Sequence, residues 1–261
     1  MNSSCKILSH TRLTEDILRM TLDAEPITRD CSPGQFLHLR VSPHIDPLLR
    51  RPFSIHRADS RRGTVEILYR VIGRGTDFMS RMTPGESIDA MGPLGKGFRL
   101  DGDFSDAVVV AGGMGSAPVF YLIDALLAMG KSVTFLWGAR TEGEFFQVPE
   151  LGERGVDVRL ATDDGSEGHC GLVTDLLEGF LEENENPSSR TGFVCGPEAM
   201  LACVQDIAED TGFPWQVSLE EGMACGVGVC QGCAVKMRSG IFRMVCSDGP
   251  VFDLGEVVFD D

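Results

Sequence analysis

The sequence predicts a multidomain chain of β and α/β parts. An antiparallel β-barrel is expected over residues 1–100, a parallel-sheet α/β domain over 101–219, and a small cysteine-rich module over 220–261. Three observations predict this. Short apolar runs punctuated by Gly and Pro fill the first hundred residues, as in small antiparallel barrels. From Asp106 onward, strand-like and helix-like segments alternate, as βαβ units require. From about Glu220 the chain becomes rich in Gly and Cys, and a segment that short needs a staple to fold.

In the first part, Gln35–Val41 (QFLHLRV), Pro52–Arg57 (PFSIHR) and Thr64–Ile72 (TVEILYRVI) read as strands, with turns at SPGQ, RRGT, TPGE and MGPLGKG. A short helix is expected after Gly75, in TDFMSRM. In the second part, AVVVAGG is a continuous apolar strand running into glycines, followed by the helical pattern SAPVFYLIDALLAMG with its terminal Gly. Strands SVTFLWGA and VDVRLAT, helix LVTDLLEGFLEE, strand GFVCG, helix PEAMLACVQDIAED and strand WQVSL complete the alternation. ENENPSS reads as a polar surface loop.

Composition narrows the function classes. The 261 residues are 43% hydrophobic with a formal net charge of −16. That charge opposes non-specific attraction to nucleic acid or anionic lipid, which leans on clustered Lys and Arg. The N-terminal stretch has no continuous apolar core of a signal peptide, and no run approaches the ~18 apolar residues of a membrane span. A cytoplasmic protein without nucleic-acid or membrane partners is expected. Nine cysteines are then free thiols or ligands rather than a disulfide framework. Cys5, Cys31, Cys170 and Cys203 are scattered and read as ordinary thiols. The five histidines, His10, His38, His44, His56 and His169, show no metal-ligand spacing.

The remaining motifs carry chemistry. Cys225, Cys230 and Cys233 follow a C-x4-C-x2-C pattern, and twelve residues separate Cys233 from Cys246, the spacing of plant-type 2Fe-2S ligation. Gly226, Gly228 and Gly232 allow the backbone to fold tightly around such a cluster. A zinc site favours two C-x2-C-like pairs, and only one is present. In LLRRPFSIHR, the Arg51-Pro52-Phe53-Ser54 run resembles the flavin-binding strand of the ferredoxin reductase superfamily. Arg51 offers a planar fork to a pyrophosphate, and Ser54 a hydroxyl to the flavin ring. Phe53 stands where many relatives carry Tyr. Leu68, Tyr69 and Arg70, then Gly75 and Thr76 at a helix start, resemble the segment that contacts the rest of FAD. VVVAGGMGSAP places Gly112, Gly113 and Gly115 between a strand and a helix, where a dinucleotide backbone can come close. Cys195, Gly196 and Pro197 resemble the superfamily's Cys-Gly-Pro loop beside the nicotinamide. Asp163 and Asp164 favour NAD over NADP by repelling a 2′-phosphate, while Arg140 argues the other way.

A nicotinamide moves two electrons as a hydride, a cluster moves one, and a flavin does both, so the flavin stands between them. No segment remains for substrate oxidation, since a (β/α)8 barrel needs ~250 further residues. In this order of parts the whole chain resembles the electron-transfer subunits of B-type, NAD-dependent dihydroorotate dehydrogenases. EEGMACGVGVCQGCAVK and VCSDGPVFDLGEVVF carry the resemblance most specifically. It implies FAD and a 2Fe-2S cluster as cofactors and NAD as co-substrate. It also implies an FMN-containing catalytic subunit as partner in a heterotetramer of two plus two, and a step of pyrimidine (UMP) biosynthesis. No catalytic residue is then expected in this chain. Two alternatives stay open: a flavin and iron–sulfur subunit of an NAD(P)H–ferredoxin or sulfide oxidoreductase, and a zinc-stapled adaptor.

Overall fold

The computed structural model describes residues 2–42, 44–184 and 189–259. The polar stretch ENENPSS falls partly outside them, at 185–188. Six strands open the chain: β1 (Asn2–Arg12), β2 (Ile17–Asp23), β3 (Phe36–Arg40), β4 (Arg51–Asp59), β5 (Thr64–Arg70) and β6 (Ser87–Leu94). Helix α1 (Glu25–Thr28) follows β2, and α2 (Arg74–Ser80) follows β5. The strands close an antiparallel barrel in the order β1-β2-β5-β4-β3-β6. Alternation explains its interior. On β5, Val65, Ile67 and Tyr69 turn into the barrel core with Leu22, Met20 and Leu18 of β2 opposite them. Leu68 points the other way, into the core of the second domain.

The second domain is a seven-stranded sheet built on β7 (Asp106–Gly112), β8 (Ser132–Ala139), β9 (Asp157–Thr162), β10 (His169–Cys170), β11 (Arg190–Cys195) and β12 (Trp215–Ser218). These six pair in parallel. Helices α3 (Ser116–Ala128), α4 (Val148–Glu153), α5 (Val173–Glu183) and α6 (Glu198–Glu209) cover its faces. Buried on both sides, β7 sends Ala107, Val109 and Ala111 into one core and Val108 and Val110 into the other, which is why its sequence reads as one apolar run.

The last segment holds a small hairpin, β13 (Ala234–Lys236) with β14 (Phe242–Met244), and β15 (Val251–Asp253). β15 adds to the sheet edge antiparallel to β12, with Ser218 opposite Val251. The sheet is therefore mixed and mostly parallel. Cys233, Cys246 and Phe252 share one core with Val217 and with Phe36 of the barrel, so the cysteine segment is packed against both domains.

Barrel and sheet meet along β4 and α3. His56 donates from Nδ1 to the Ala117 carbonyl at 2.9 Å. Arg57 pairs with Asp124 at 3.1 Å and Glu150 at 2.8 Å. No helix among the described residues is long and apolar enough to cross a membrane.

Candidate functional site

A cavity of about 420 Å³ lies where barrel, sheet and cysteine segment meet. Of the residues expected to hold FAD, Pro52, Phe53, Ser54, Leu68, Tyr69, Arg70 and Thr76 line it. β4 and β5 put the first six there, and α2 brings Thr76. Phe53 meets Tyr69 edge-on at 5.8 Å between ring centroids. The Tyr69 hydroxyl and His10 Nε2 lie 2.8 Å apart, and burial raises the phenol's pKa. Arg51 and Gly75 stand just behind the wall. A Cβ on Gly75 would lie 3.4 Å from Arg51 Nε, an ordinary contact that sets the first turn of α2 beside that side chain. Arg51 Nη1 donates to the Leu49 carbonyl at 2.5 Å. The Thr76 hydroxyl accepts from the Ile72 and Gly73 amides at 3.0 and 3.2 Å, tying down the entry to α2.

A second cavity of about 450 Å³ opens at the C-terminal ends of the parallel strands, where open α/β sheets take their ligands. Gly112, Gly113 and Pro197 line it, as do Arg140 and Asp163. Gly113 has φ +51 and open space where a Cβ would stand, which leaves its backbone approachable. Gly115, Cys195 and Gly196 lie behind these. A Cβ on Gly115 would fall 2.2 Å from the Cys195 carbonyl oxygen, and one on Gly196 3.0 Å from the Gly112 amide. The glycine turn and the Cys-Gly-Pro loop are thus in direct contact, and only glycine permits it. Burial pushes the Cys195 thiol well up, with the nearby Glu220 charge adding to it, so Cys195 stays protonated. Arg70 and Met114 belong to both cavities, which join there.

The four cysteines of the last segment converge as two pairs. The Cys230 amide donates to Cys225 Sγ and the Cys246 amide to Cys233 Sγ, which sets Cys225 beside Cys230 and Cys233 beside Cys246. Among the described residues no three His, Cys, Asp or Glu side chains form a set around one metal ion. Backbone amides point at the sulfurs. Val227 and Cys230 donate to Cys225 Sγ, each at 3.4 Å, Gly228 to Cys246 Sγ at 3.0 Å, and Cys246 to Cys233 Sγ at 3.5 Å. The amides of Cys230 and Val227 pull the Cys225 thiol down to about 6, while burial raises that of Cys246. Four cysteines on one segment, with backbone amides already aimed at three of the sulfurs, fit an iron–sulfur cluster held by four cysteines. Gly226 and Gly228 adopt φ +73 and +80, as their residue type suggests. The third left-handed position is Gln231 (φ 58), not Gly232. Cys233 and Cys246 are buried, whereas Cys230, Val227 and Val229 are exposed.

Sequence reasoning missed part of the first cavity's wall: Glu220, Glu221, Gly222 and Met223 complete it. Their only signal was position, immediately before the cysteines. It also missed Glu144, which reaches into the second cavity between two arginines.

Three family models match the chain. An oxidoreductase FAD-binding domain covers residues 4–98, an oxidoreductase NAD-binding domain 109–206, and the iron–sulfur cluster binding domain of dihydroorotate dehydrogenase B 220–258. The chain is 38% identical to the dihydroorotate dehydrogenase B (NAD(+)) electron transfer subunit of Desulforamulus reducens, over 98% of this chain and 97% of that protein. It is 39% identical to the subunit of that description from Listeria innocua, over 98% and 99%. Among solved structures it resembles an NADH-dependent reduced ferredoxin-NADP oxidoreductase, with a TM-score of 0.88 and 28% identity, over 98% of this chain and 90% of that one.

Proposed function

The chain belongs to the family of dihydroorotate dehydrogenase B electron-transfer subunits, and from that premise we propose the route it serves. It carries electrons from the FMN of a dihydroorotate-oxidising catalytic subunit, by way of a 2Fe-2S cluster and FAD, to NAD. One observation carries this reading. The first cavity shares Arg70 and Met114 with the second, and its wall includes Met223, two residues before Cys225. Three sites that touch in series are what a two-electron to one-electron relay requires. FAD supplies the exchange between hydride and single electrons, and the cluster passes one electron at a time.

The residues of this chain bind, orient and exclude water. Arg51, Pro52, Phe53, Ser54, Leu68, Tyr69, Arg70, Gly75 and Thr76 hold FAD in this proposal. Gly112, Gly113, Gly115, Cys195, Gly196 and Pro197 shape the nicotinamide site, and Cys225, Cys230, Cys233 and Cys246 hold the cluster. The C-x4-C-x2-C spacing with a distant fourth cysteine favours a two-iron cluster over a zinc ion, which favours two C-x2-C-like pairs. The domains divide at 1–100, 101–219 and 220–261, which the matched segments support. The partner docks over the exposed cluster loop, where Val227 and Val229 face outward, and two copies of each subunit assemble. The step belongs to cytoplasmic pyrimidine biosynthesis.

The test is dihydroorotate-dependent reduction of NAD with and without the FMN subunit, on a chain whose iron and flavin have been measured. Reduction that needs both subunits is expected, with two irons and one flavin per chain. A colourless, zinc-loaded chain would overturn the proposal. The likeness to a ferredoxin-NADP oxidoreductase favours one second reading, in which ferredoxin is the client. Reduction of ferredoxin by NADH, with no response to any dihydroorotate dehydrogenase partner, would select it.

A further inference from the structure

His38 lies on β3 and is wholly buried. Neither of its ring nitrogens has a hydrogen-bond partner among the described residues. A buried polar atom left unpaired is costly, and native structures seldom tolerate two on one ring. The ring lies against the cysteine loop. A Cβ on Gly226 would fall 2.6 Å from His38 Nδ1, and the three atoms nearest to it all belong to this imidazole. Gly226 follows Cys225, so the first turn of the loop rests on the ring, and only glycine permits it. Phe36, two positions earlier and therefore on the same face of β3, shares a core with Cys233 and Cys246 and lines the first cavity. Across the ladder His38 pairs with Pro52 of β4, which belongs to that cavity's wall. Arg50 holds the strand in place, donating to the His38 carbonyl at 3.2 Å while pairing with Asp89 at 2.7 Å. This face of β3 is thus the floor between the first cavity and the cysteine loop.

We propose that the His38 ring donates a hydrogen bond to the sulfurs of the cluster held by the cysteine loop, and so sets the potential at which the cluster takes up an electron. The inference rests on the reading of the four cysteines as ligands of an iron–sulfur cluster. An imidazole carries at least one N–H in either tautomer and in the charged form, so the donor does not depend on titration. A cluster held by four thiolates is negatively charged, and reduction adds one more negative charge. A donor aimed at the sulfurs therefore favours the reduced form and raises the potential. Backbone amides of the loop already serve the sulfurs of Cys225, Cys233 and Cys246. His38 differs from them in being a side chain of the barrel. Through it, the domain that carries the first cavity controls the readiness of the neighbouring cluster to accept an electron.

The experiment uses the full chain loaded with iron and flavin, grown on histidine whose ring nitrogens carry the heavy isotope. Pulsed EPR of the reduced cluster should show a weak coupling to a histidine nitrogen, and that coupling should vanish in His38→Gln. A redox titration followed by EPR then compares the unsubstituted chain with two variants. His38→Leu fills the space without a donor. It should lower the cluster's reduction equilibrium at least about ten-fold, a fall of about 59 mV for one electron. His38→Gln keeps an N–H and should recover most of that fall. Absence of histidine coupling in the unsubstituted chain would overturn the inference. So would an unchanged potential in His38→Leu at full iron content, or a fall in His38→Gln as large as in His38→Leu. If His38→Leu holds no iron, the nitrogen coupling and its loss in His38→Gln decide alone. An unsubstituted chain that carries zinc and gives no EPR signal on reduction would instead remove the reading on which the inference rests.

Discussion

His56 lies fully buried on β4, packed against Phe120 at 4.8 Å between ring centroids and donating to the Ala117 carbonyl. Burial is the main reason its pKa falls to about 3; the Arg57 charge adds to the fall, and the bond to Ala117 opposes it. The unfolded chain, with an ordinary histidine near 6.5, binds a proton between those two values that the folded chain refuses. Stability from this residue is thus complete above about pH 6.5 and is lost as pH falls, at roughly 1.4 kcal/mol per unit. His56→Gln keeps a donor for Ala117 and removes the titration. At pH 7.5 the variant should be the less stable chain, and the gap should narrow or reverse by pH 5. Urea midpoints at the two pH values check this; a gap independent of pH would rule out the buried neutral ring as an acid-sensitive element. The same kind of close reading applies to Gly115. Its lack of a side chain is what lets the glycine turn touch Cys195.

At the scale of elements, β11 and β12 pair with Gly192 opposite Trp215. A Cβ on Gly192 would fall 2.1 Å from the indole, so the strand passes under the ring only as glycine. Gly192→Ala should cost about 1–3 kcal/mol through overpacking, read as a lower urea midpoint with altered fluorescence from Trp215. An unchanged midpoint would mean that the ring swings away freely. This contact also shows what local pattern hides. The strand GFVCG was legible from its apolar run, but the need for its glycine comes from a residue more than twenty positions away. β1 escaped notice because its outward positions are polar and a register shift between Ile7 and Ser9 breaks its alternation. β15 is only three residues long and owes its existence to β12. The cysteines and the RPFS run were legible because their chemistry fixes spacing in sequence. Glu144 and the Glu220–Met223 wall were not, because their roles arise where separate domains meet.

Across the whole molecule, the second cavity adjoins the first, and the first reaches Met223 beside the exposed cysteine loop. Cys230 lies at the outer end, exposed. Cys230→Ser should therefore stop reduction through the partner subunit while NADH oxidation by an artificial dye at the flavin continues. Both rates, measured on one preparation of constant flavin content, check the order. Equal loss of both would assign Cys230 to the fold instead. The pairing of Ser218 with Val251 reaches further than the sheet edge. Residues 219–250 leave the sheet at one strand and return to its immediate neighbour, so the β12–β15 pair is the clasp that closes a segment packed against both domains. A bead on a closed bracelet is not lost by fraying at one end. It is lost when the clasp opens. Bleaching of the cluster's visible colour on heating should accordingly coincide with exposure of β15, measured by hydrogen exchange at Val251–Asp253, as one event rather than two.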